Sequence, residues 1–337
     1  MPKRLVVCSD GTWADEDRNT NVWQFSACVK RDGFDQLVQY DPGVGTGSLI
    51  SKVLGGATGF GISKNITDAY GFLARNYEPG DAIYLVGFSR GAYTVRSTAG
   101  MIRKCGLLKR PFNNRLGTFL AFFLYRLRHG SADVRVARLF RRLFSHDPVT
   151  IKFLGVWDTV GALGIPIKSM NWIMRWVNRF HDVRLSRSVQ YAYQALAIDE
   201  RREVFEATLW EQAEDPGPIQ KAVEQVWFAG CHSDIGGGNP THGLSDITLR
   251  WLIAKAAQTG LEFETNEFFG LNPDPHAPKN ESFSGFWTHL SERWRPIGLA
   301  VRSQESVATV VKTRYQASPE YRPPNLLDYL ERTNDGW

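Results

Sequence analysis

Short apolar runs alternate with amphipathic stretches along most of the chain. Six runs rich in β-branched and aromatic residues predict buried strands, at residues 4–8, 36–40, 82–86, 150–157, 203–210 and 224–229. Apolar residues at helical spacing predict helices between them, at residues 66–77, 93–102 and 185–198. Strands that alternate with helices indicate an α/β fold with a mostly parallel sheet, helices on both faces, and functional loops at the carboxyl ends of the strands.

Two segments interrupt this alternation and mix bulky apolar residues with arginine. They are residues 103–148 and residues 165–184, and we expect both to form helical caps over the cleft. After about residue 262 the periodicity fades, and Pro, Asn and Ser cluster. We therefore expect an α/β core at residues 1–262 that carries the two caps, and an irregular wrap or small subdomain at residues 263–337.

A Gly-x-Ser-x-Gly pattern follows the third predicted strand, at Gly87, Ser89 and Gly91. In α/β-hydrolases this pattern forms a strained turn between a strand and a helix, which points the serine hydroxyl into a cleft. Strand, turn and helix occur here in that order, so Ser89 is the predicted nucleophile. The alternative is that Ser89 only caps the helix that begins near Arg90, because serine is a favoured N-cap residue.

A serine nucleophile needs a general base, and two histidines lie near the last predicted strand. His232 follows that strand in a glycine-rich turn, which is where an α/β-hydrolase delivers its histidine. His242 is the alternative base. The competing interpretation is that His232 is a structural histidine that only packs the turn.

The acid that orients the histidine is predicted to be Asp158. It ends the strand that follows the elbow strand, beside Trp157, where a carboxylate is costly to desolvate unless it is hydrogen-bonded. Asp199, Asp234 and Asp246 are alternatives, and an ordinary turn or helix cap would also explain an aspartate at this position.

An oxyanion hole requires two backbone N–H donors that are aimed at the substrate oxygen. Arg90, directly after the nucleophile, is the first predicted donor, and Gly11 or Thr12, after the first strand, is the second. Asp10 would hold this early loop by accepting hydrogen bonds from its backbone amides, or would form an ordinary Asx turn.

No cofactor or metal is expected. The glycine-rich segments 43–47 and 55–61 have neither the P-loop spacing nor the dinucleotide-binding pattern. Asp10, Asp234 and Asp246 lack the spacing of a calcium-binding loop. The four cysteines are scattered without a C-x-x-C pair, which favours free thiols over disulfides or a zinc site.

The positive charge is concentrated in one segment. The chain carries a net +5, and residues 103–142 hold eleven Lys or Arg against one acid, a local +10 that leaves −5 on the rest. A basic segment with bulky apolar residues favours peripheral contact with an anionic membrane, and we expect no nucleic acid partner. The oligomeric state stays open.

The chain has no apolar run long enough to span a membrane, and its N-terminus leads directly into a predicted strand. We therefore expect a cytoplasmic protein, with a peripheral membrane location or export without a cleaved signal peptide as alternatives.

Six motifs occur in order along the chain, at residues 9–13, 40–46, 80–96, 157–161, 195–202 and 232–238. Together they resemble the DUF2235 family of α/β-hydrolases, which includes the Tle1-type phospholipase effectors of bacterial type VI secretion. The resemblance covers about residues 3–255, and many relatives have histidine where Gln194 stands. It implies a serine hydrolase that acts on lipid esters, with Ser89, Asp158 and His232 on the motifs that would hold the triad.

The sequence therefore predicts an α/β-hydrolase that cleaves carboxylic esters through an acyl-enzyme, with His232 deprotonating Ser89. Phospholipid is the favoured substrate class. The alternatives are a soluble carboxylesterase that acts on non-lipid esters, and a non-catalytic protein that keeps the fold as an interaction surface.

Overall fold

The computed structural model describes most of the chain. The described residues are 2–11, 19–31, 34–43, 59–127, 131–161, 185–211, 217–264, 270–289, 291–300, 303–334 and 337. Thr12, most of the glycine-rich segments at 43–47 and 55–61, and the second predicted cap at 165–184 lie outside these residues.

The core is a seven-stranded sheet in which all neighbouring strands are parallel. Its strands are β1 (Arg4–Ser9), β2 (Gln36–Asp41), β3 (Ala82–Phe88), β6 (Ile151–Trp157), β7 (Val189–Ala197), β8 (Ala222–Phe228) and β9 (Glu305–Val307). Their order is β2-β1-β3-β6-β7-β8-β9, and β4 (Leu107–Leu108) and β5 (Ser145–His146) form a separate antiparallel ribbon. The predicted α/β fold with a mostly parallel sheet is confirmed.

Helices cover both faces of this sheet. In the described part of the chain they are α1 (Asn21–Cys28), α2 (Gly59–Asn76), α3 (Arg90–Cys105), α4 (Arg115–Arg126), α5 (Ser131–Phe144), α6 (His232–Gly236), α7 (Gly243–Gln258), α8 (Thr309–Ala317) and α9 (Pro324–Thr333). Leu5 and Val7 of β1 pack on the α2 and α3 side, whereas Val6 and Cys8 pack on the α1 and α7 side. None of these helices is long and apolar enough to cross a bilayer.

Two predicted elements are wrong. Residues 185–198, predicted as a helix, contain strand β7, which pairs with β6 and β8 in the interior of the sheet. Residues 203–210, predicted as a strand, contain a short 3-10 helix (Glu203–Phe205) and irregular chain. The strand is rich in Ala and Gln, which favour helices, and a strand buried on both faces lacks the alternation that separates the two structures.

The C-terminal region packs on the sheet through a third apolar cluster. Val311 of α8 and Leu326 of α9 are fully buried, together with Trp227 and Ile198 from the core. Strand β9 adds to the sheet edge beside β8. The region from residue 263 onward therefore contributes two helices and an edge strand to the α/β core.

The described helices of the first insertion lie at the end of α3 that is remote from Ser89. Its helices α4 and α5 pack on the C-terminal end of α3, where Cys105 Sγ lies 3.2 Å from the Ala121 oxygen and Arg141 Nη1 donates to the Lys104 oxygen at 3.0 Å. At about 1.5 Å per helical residue, these contacts lie about 20 Å from Ser89. An insertion that follows α3 emerges at the opposite edge of the sheet, because α3 runs back from the carboxyl ends of the strands.

Candidate active site

Ser89 occupies a strained turn between β3 and α3. Its φ of +56° lies in the left-handed region, which is costly for a residue with a side chain. The turn needs glycine on both sides: a Cβ at Gly87 would lie 2.6 Å from the Gly91 oxygen, and one at Gly91 would collide with the Ser9 carbonyl. The Ser89 side chain makes no capping hydrogen bond to α3, so capping does not account for it.

The Ser89 hydroxyl instead faces the His232 ring. His232 Nε2 lies 2.9 Å from Ser89 Oγ, and His232 Nδ1 lies 2.5 Å from Asp158 Oδ2. We call these three side chains the Ser-His-Asp row. With the Nδ1 hydrogen directed at Asp158, the Nε2 lone pair faces the hydroxyl, and this geometry allows a proton to pass from Ser89 to His232.

The parallel sheet brings these side chains together. Ser89 follows β3, Asp158 follows the adjacent strand β6, and His232 begins α6 shortly after β8. Because the strands are parallel, their carboxyl ends meet at one edge, where ligands bind in open α/β sheets. All three side chains are buried there.

The alternative acids and the alternative base have other surroundings. Asp199 accepts a hydrogen bond from the Tyr321 hydroxyl at 2.9 Å, and Asp234 accepts one from the Asn280 amide at 2.6 Å. His242 immediately precedes α7. Within the described residues, no hydrogen bond joins these side chains to the Ser-His-Asp row.

Arg295 lies behind the row and was missed by sequence analysis. Its Nη1 donates to Asp158 Oδ1 at 2.6 Å, and its Nη2 donates to Asp158 Oδ2 at 3.0 Å. The guanidinium is 4% exposed. No motif marks this arginine, which lies in the region from residue 263 onward, where no periodicity suggested a link to the site.

The surroundings set the ionisation of the row. Burial favours a neutral Asp158, but the positive charge of Arg295 and the hydrogen bond to His232 hold the pKa of that carboxyl well below its usual range. Burial between the rings of Phe88 and Phe205 lowers the pKa of His232, and the bond to Asp158 only partly opposes this. Near neutral pH the pair is therefore a carboxylate and a neutral imidazole.

The early loop is arranged differently from the predicted oxyanion hole. Gly11 N–H donates to Asp10 Oδ1 at 2.7 Å, so this amide is engaged, and its role as an oxyanion donor stays a prediction. Asp10 Oδ2 accepts hydrogen bonds from the hydroxyls of Tyr40 and Thr20. Burial raises the pKa of Asp10 to about 6. Asp10 therefore links the loop after β1 to Tyr40 and Thr20, while the other predicted donor, Thr12, lies outside the described residues.

Arg90 begins α3 directly after Ser89. Its N–H belongs to the first turn of the helix, where backbone donors have no intrahelical acceptor. Burial lowers the pKa of its guanidinium to about 10. No carboxylate among the described residues pairs with it, so the start of α3 carries a partly buried, unpaired cation directly after Ser89.

Neither metal ligation nor thiol chemistry is indicated by the described residues. They contain no group of three or more His, Cys, Asp or Glu side chains that could hold a metal ion. The four cysteines are buried, and no disulfide joins them. Burial raises the pKa of Cys8, Cys105 and Cys231 to about 12, so these thiols are protonated near neutral pH.

The parallel sheet with a strained serine turn at its carboxyl edge defines an α/β-hydrolase-like protein. A family model described as T6SS, phospholipase effector Tle1-like, catalytic domain, matches residues 3–255. The chain therefore belongs to this Tle1-like family, and the predicted resemblance is confirmed.

Individual relatives are more distant. An uncharacterized protein of Saccharomyces cerevisiae is 29% identical over 306 residues, which cover 82% of this chain and 42% of the yeast protein. An uncharacterized protein from Pseudomonas aeruginosa has a TM-score of 0.47 at 16% identity, covering 79% of this chain and 47% of that one. A Tle1 effector bound to the VgrG spike of the type 6 secretion system has a TM-score of 0.40 at 18% identity, covering 72% and 52%. The chain spans about half, or less, of the length of these proteins.

Proposed function

We propose that this protein is a serine hydrolase that cleaves the carboxylic esters of phospholipids through an acyl-enzyme. The observation that carries the proposal is the hydrogen-bonded Ser-His-Asp row at the carboxyl edge of the parallel sheet. Membership of a phospholipase effector family supports a lipid as the substrate.

In the proposed reaction, His232 Nε2 accepts the Ser89 proton while Ser89 Oγ attacks the ester carbonyl. The negative charge on the carbonyl oxygen is stabilised by N–H groups at the start of α3, beginning with Arg90. His232 then gives its proton to the leaving alcohol, which departs as the acyl-enzyme forms. Water, deprotonated by His232, attacks this intermediate and releases the fatty acid and free Ser89.

The partly buried guanidinium of Arg90 favours an anionic ester over a neutral one. A partly desolvated cation without a carboxylate partner among the described residues is costly, and a bound anion would offset that cost. The phosphate of a phospholipid is such an anion, and it lies close to the ester bonds that a serine nucleophile would cleave. A neutral carboxylic ester offers no comparable partner.

A substrate comparison tests this proposal. We expect Arg90→Met to lower kcat/KM for a phospholipid in mixed micelles about tenfold more than for a p-nitrophenyl ester, because only the phospholipid loses a charge-assisted hydrogen bond. Arg75→Met, which removes an exposed arginine from α2, is the matched control and should change neither rate. Equal losses on both substrates would contradict the role of Arg90. Hydrolysis of the neutral ester alone by the wild type would favour a non-lipid carboxylesterase.

We also propose that α4 and α5 bind an anionic membrane surface. Eight large apolar side chains on these helices are between 46% and 66% exposed: Leu116, Phe119, Leu120, Phe123, Val134, Val136, Leu139 and Leu143. The segment 103–142, which contains seven of these eight residues, carries a net charge of +10. Apolar side chains flanked by arginines match the boundary between headgroups and acyl chains of an anionic bilayer. Because this surface lies at the far end of α3, it would anchor the protein rather than open the cleft.

Vesicle sedimentation tests the membrane contact. We expect the protein to sediment at low salt with vesicles that contain phosphatidylglycerol, and not with pure phosphatidylcholine vesicles. Reversing the exposed charges with Arg138→Glu and Arg142→Glu should weaken binding about tenfold or more, since each basic residue near an anionic surface contributes about 1 kcal/mol. The control pair Arg75→Glu and Arg187→Glu makes the same charge change on exposed arginines elsewhere. Equal binding to neutral vesicles, or equal effects of the two pairs, would contradict the proposal.

A further inference from the structure

We infer that Arg295 is a positioning residue of the proposed hydrolase, which holds the Asp158 carboxylate ionised and oriented toward His232. The inference rests on the proposed function, because it concerns how the base of that reaction is held. It also assigns a role to the C-terminal region, since the family model ends at residue 255, before Arg295.

The Arg295 guanidinium and the Asp158 carboxylate form a forked, bidentate ion pair. Arg295 presents Nη1 to Asp158 Oδ1 at 2.6 Å and Nη2 to Oδ2 at 3.0 Å, which is the bidentate geometry that a planar guanidinium offers a carboxylate. Both side chains are removed from solvent, at 4% and 0% exposure. Removal of one partner would therefore leave an uncompensated charge inside the protein.

The contacts of each oxygen fix the orientation of the carboxylate. Asp158 Oδ1 also accepts the Ala197 N–H at 3.1 Å, and Oδ2 also faces His232 Nδ1. Arg295 Nη1 donates in addition to the Ala197 oxygen at 3.3 Å, and Nη2 donates to the Phe205 oxygen. The plane of the carboxylate is thus held against β7 on one side and directed at the ring on the other.

A C-terminal helix holds the backbone of Arg295 in place. Asn325 of α9 donates through Nδ2 to the carbonyl oxygens of Arg295 and Ile198, at 3.0 Å each. The Ile198 oxygen belongs to the chain directly after β7, beside the site. One buried amide therefore links α9, the segment that carries Arg295, and the sheet edge on which Asp158 lies.

Arg295 supplies one of the two positive charges that offset the negative charges near His232. The carboxylates near it belong to Asp158, which faces the ring, and Glu200, which accepts the backbone N–H; the guanidiniums belong to Arg295 and Arg202, and Asp234 lies on the same helix with its carboxylate bonded elsewhere. Glu200 is paired with Arg202 at 2.8 Å, as Asp158 is with Arg295. Without Arg295, the unshared negative charge of Asp158 would stabilise the imidazolium and raise the pKa of His232.

The pH dependence of ester hydrolysis tests this role. In the wild type, activity should rise with pH along the acidic limb of its pH profile, and the midpoint of this limb should lie below pH 6.5, because burial lowers the pKa of His232 from that value. We expect Arg295→Met to move this limb up by about one pH unit and to lower the plateau kcat about tenfold or more. Arg293→Met is the matched control, because Arg293 is exposed and, in the part of the chain that the structure describes, its side chain makes a loose ion pair with Glu206 at 3.6 Å. An unchanged limb in Arg295→Met would overturn the inference.

Arg295→Lys separates charge from geometry, and it carries the test if Arg295→Met does not fold. Lysine keeps the positive charge but cannot form the fork, so the limb should stay within a few tenths of a unit of the wild type while the plateau falls. Wild-type turnover in a folded Arg295→Lys protein would contradict the positioning role.

A measurement without substrate distinguishes this inference from the proposed function. In proton NMR, the hydrogen between His232 Nδ1 and Asp158 gives a low-field signal whose pH midpoint reports the ionisation of the ring. We expect that midpoint to rise in Arg295→Met and not in Arg293→Met. If the wild type cleaves no ester, the proposed function fails, and this titration still decides whether Arg295 controls His232.

Discussion

Ser89→Ala should abolish covalent labelling by a fluorophosphonate probe and lower hydrolysis of a p-nitrophenyl ester by about 10⁴-fold or more. The physical reason is that Ser89 Oγ is the group held 2.9 Å from His232 Nε2, so its removal deletes the proposed nucleophile and not only a binding contact. Alanine keeps the Cβ in the strained turn and leaves the two flanking glycines untouched. The fold should therefore survive, as checked by circular dichroism.

A second serine on the same helix controls for this experiment. Ser97 is buried two helical turns further along α3 and makes no hydrogen bond to the Ser-His-Asp row among the described residues, so Ser97→Ala should label like the wild type. Probe labelling of a folded Ser89→Ala protein would show that another residue is the nucleophile. Absence of labelling in the folded wild type would favour the alternative of a non-catalytic interaction protein.

Asp158→Asn should lower turnover by about a hundredfold or more, because an amide cannot hold His232 in the tautomer that leaves Nε2 free to accept a proton. It should also destabilise the protein by about 3–5 kcal/mol near neutral pH, since Arg295 would keep a buried charge without a partner. Kinetics on a p-nitrophenyl ester and urea unfolding measure the two effects. Asp199→Asn removes a buried carboxylate outside the row and should keep turnover within a few-fold.

The loss of unfolding free energy expected for Asp158→Asn depends on pH. The folded-state pKa of Asp158 lies below its unfolded value of 3.8, so its ionised pairing stabilises the fold fully above that pH and is lost as the pH falls through the folded pKa. The difference in unfolding free energy between wild type and Asp158→Asn should therefore be largest near neutral pH and shrink below about 3.8. A difference that is independent of pH would contradict the ionised pair.

His232→Ala should be comparably damaging to turnover, and combining it with Asp158→Asn should add little. When two residues act as one unit, removing either of them already removes most of their joint effect on turnover. The double variant should therefore be about as slow as His232→Ala alone. A double variant that is much slower than either single variant would show that the two side chains act independently.

Much of the candidate site could be predicted because parallel strands end at a common edge. Ser89, Asp158 and His232 were each selected for following a predicted strand, and the structure places all three in one hydrogen-bonded row. Strand ends at residues 86, 157 and 229 were close to the observed ends of β3, β6 and β8. Their catalytic roles stay predictions until the variants are measured.

Local pattern was misleading where a segment is buried on all sides. The residues of β7 are rich in Ala and Gln, and helical spacing was found among them, yet pairing with β6 and β8 makes them a strand. Satisfying the backbone groups of two neighbouring strands outweighs a helix propensity of a few tenths of a kcal/mol per residue. The segment at 203–210 makes only an isolated bridge, between Ala207 and Val160, among the described residues, and it is irregular apart from this bridge and one 3-10 turn.

The sequence by itself determined the α/β fold, the serine turn and the residues at the strand ends, because these depend on periodicity and on short motifs with their own backbone geometry. Only the tertiary structure decided that Arg295 pairs with Asp158, that Asp10 occupies the Gly11 amide, and that the basic insertion lies away from the cleft. These contacts join residues from different layers of the fold or depend on where one backbone donor points. No local pattern encodes them, since each arises from how distant segments pack against the same sheet edge or helix end.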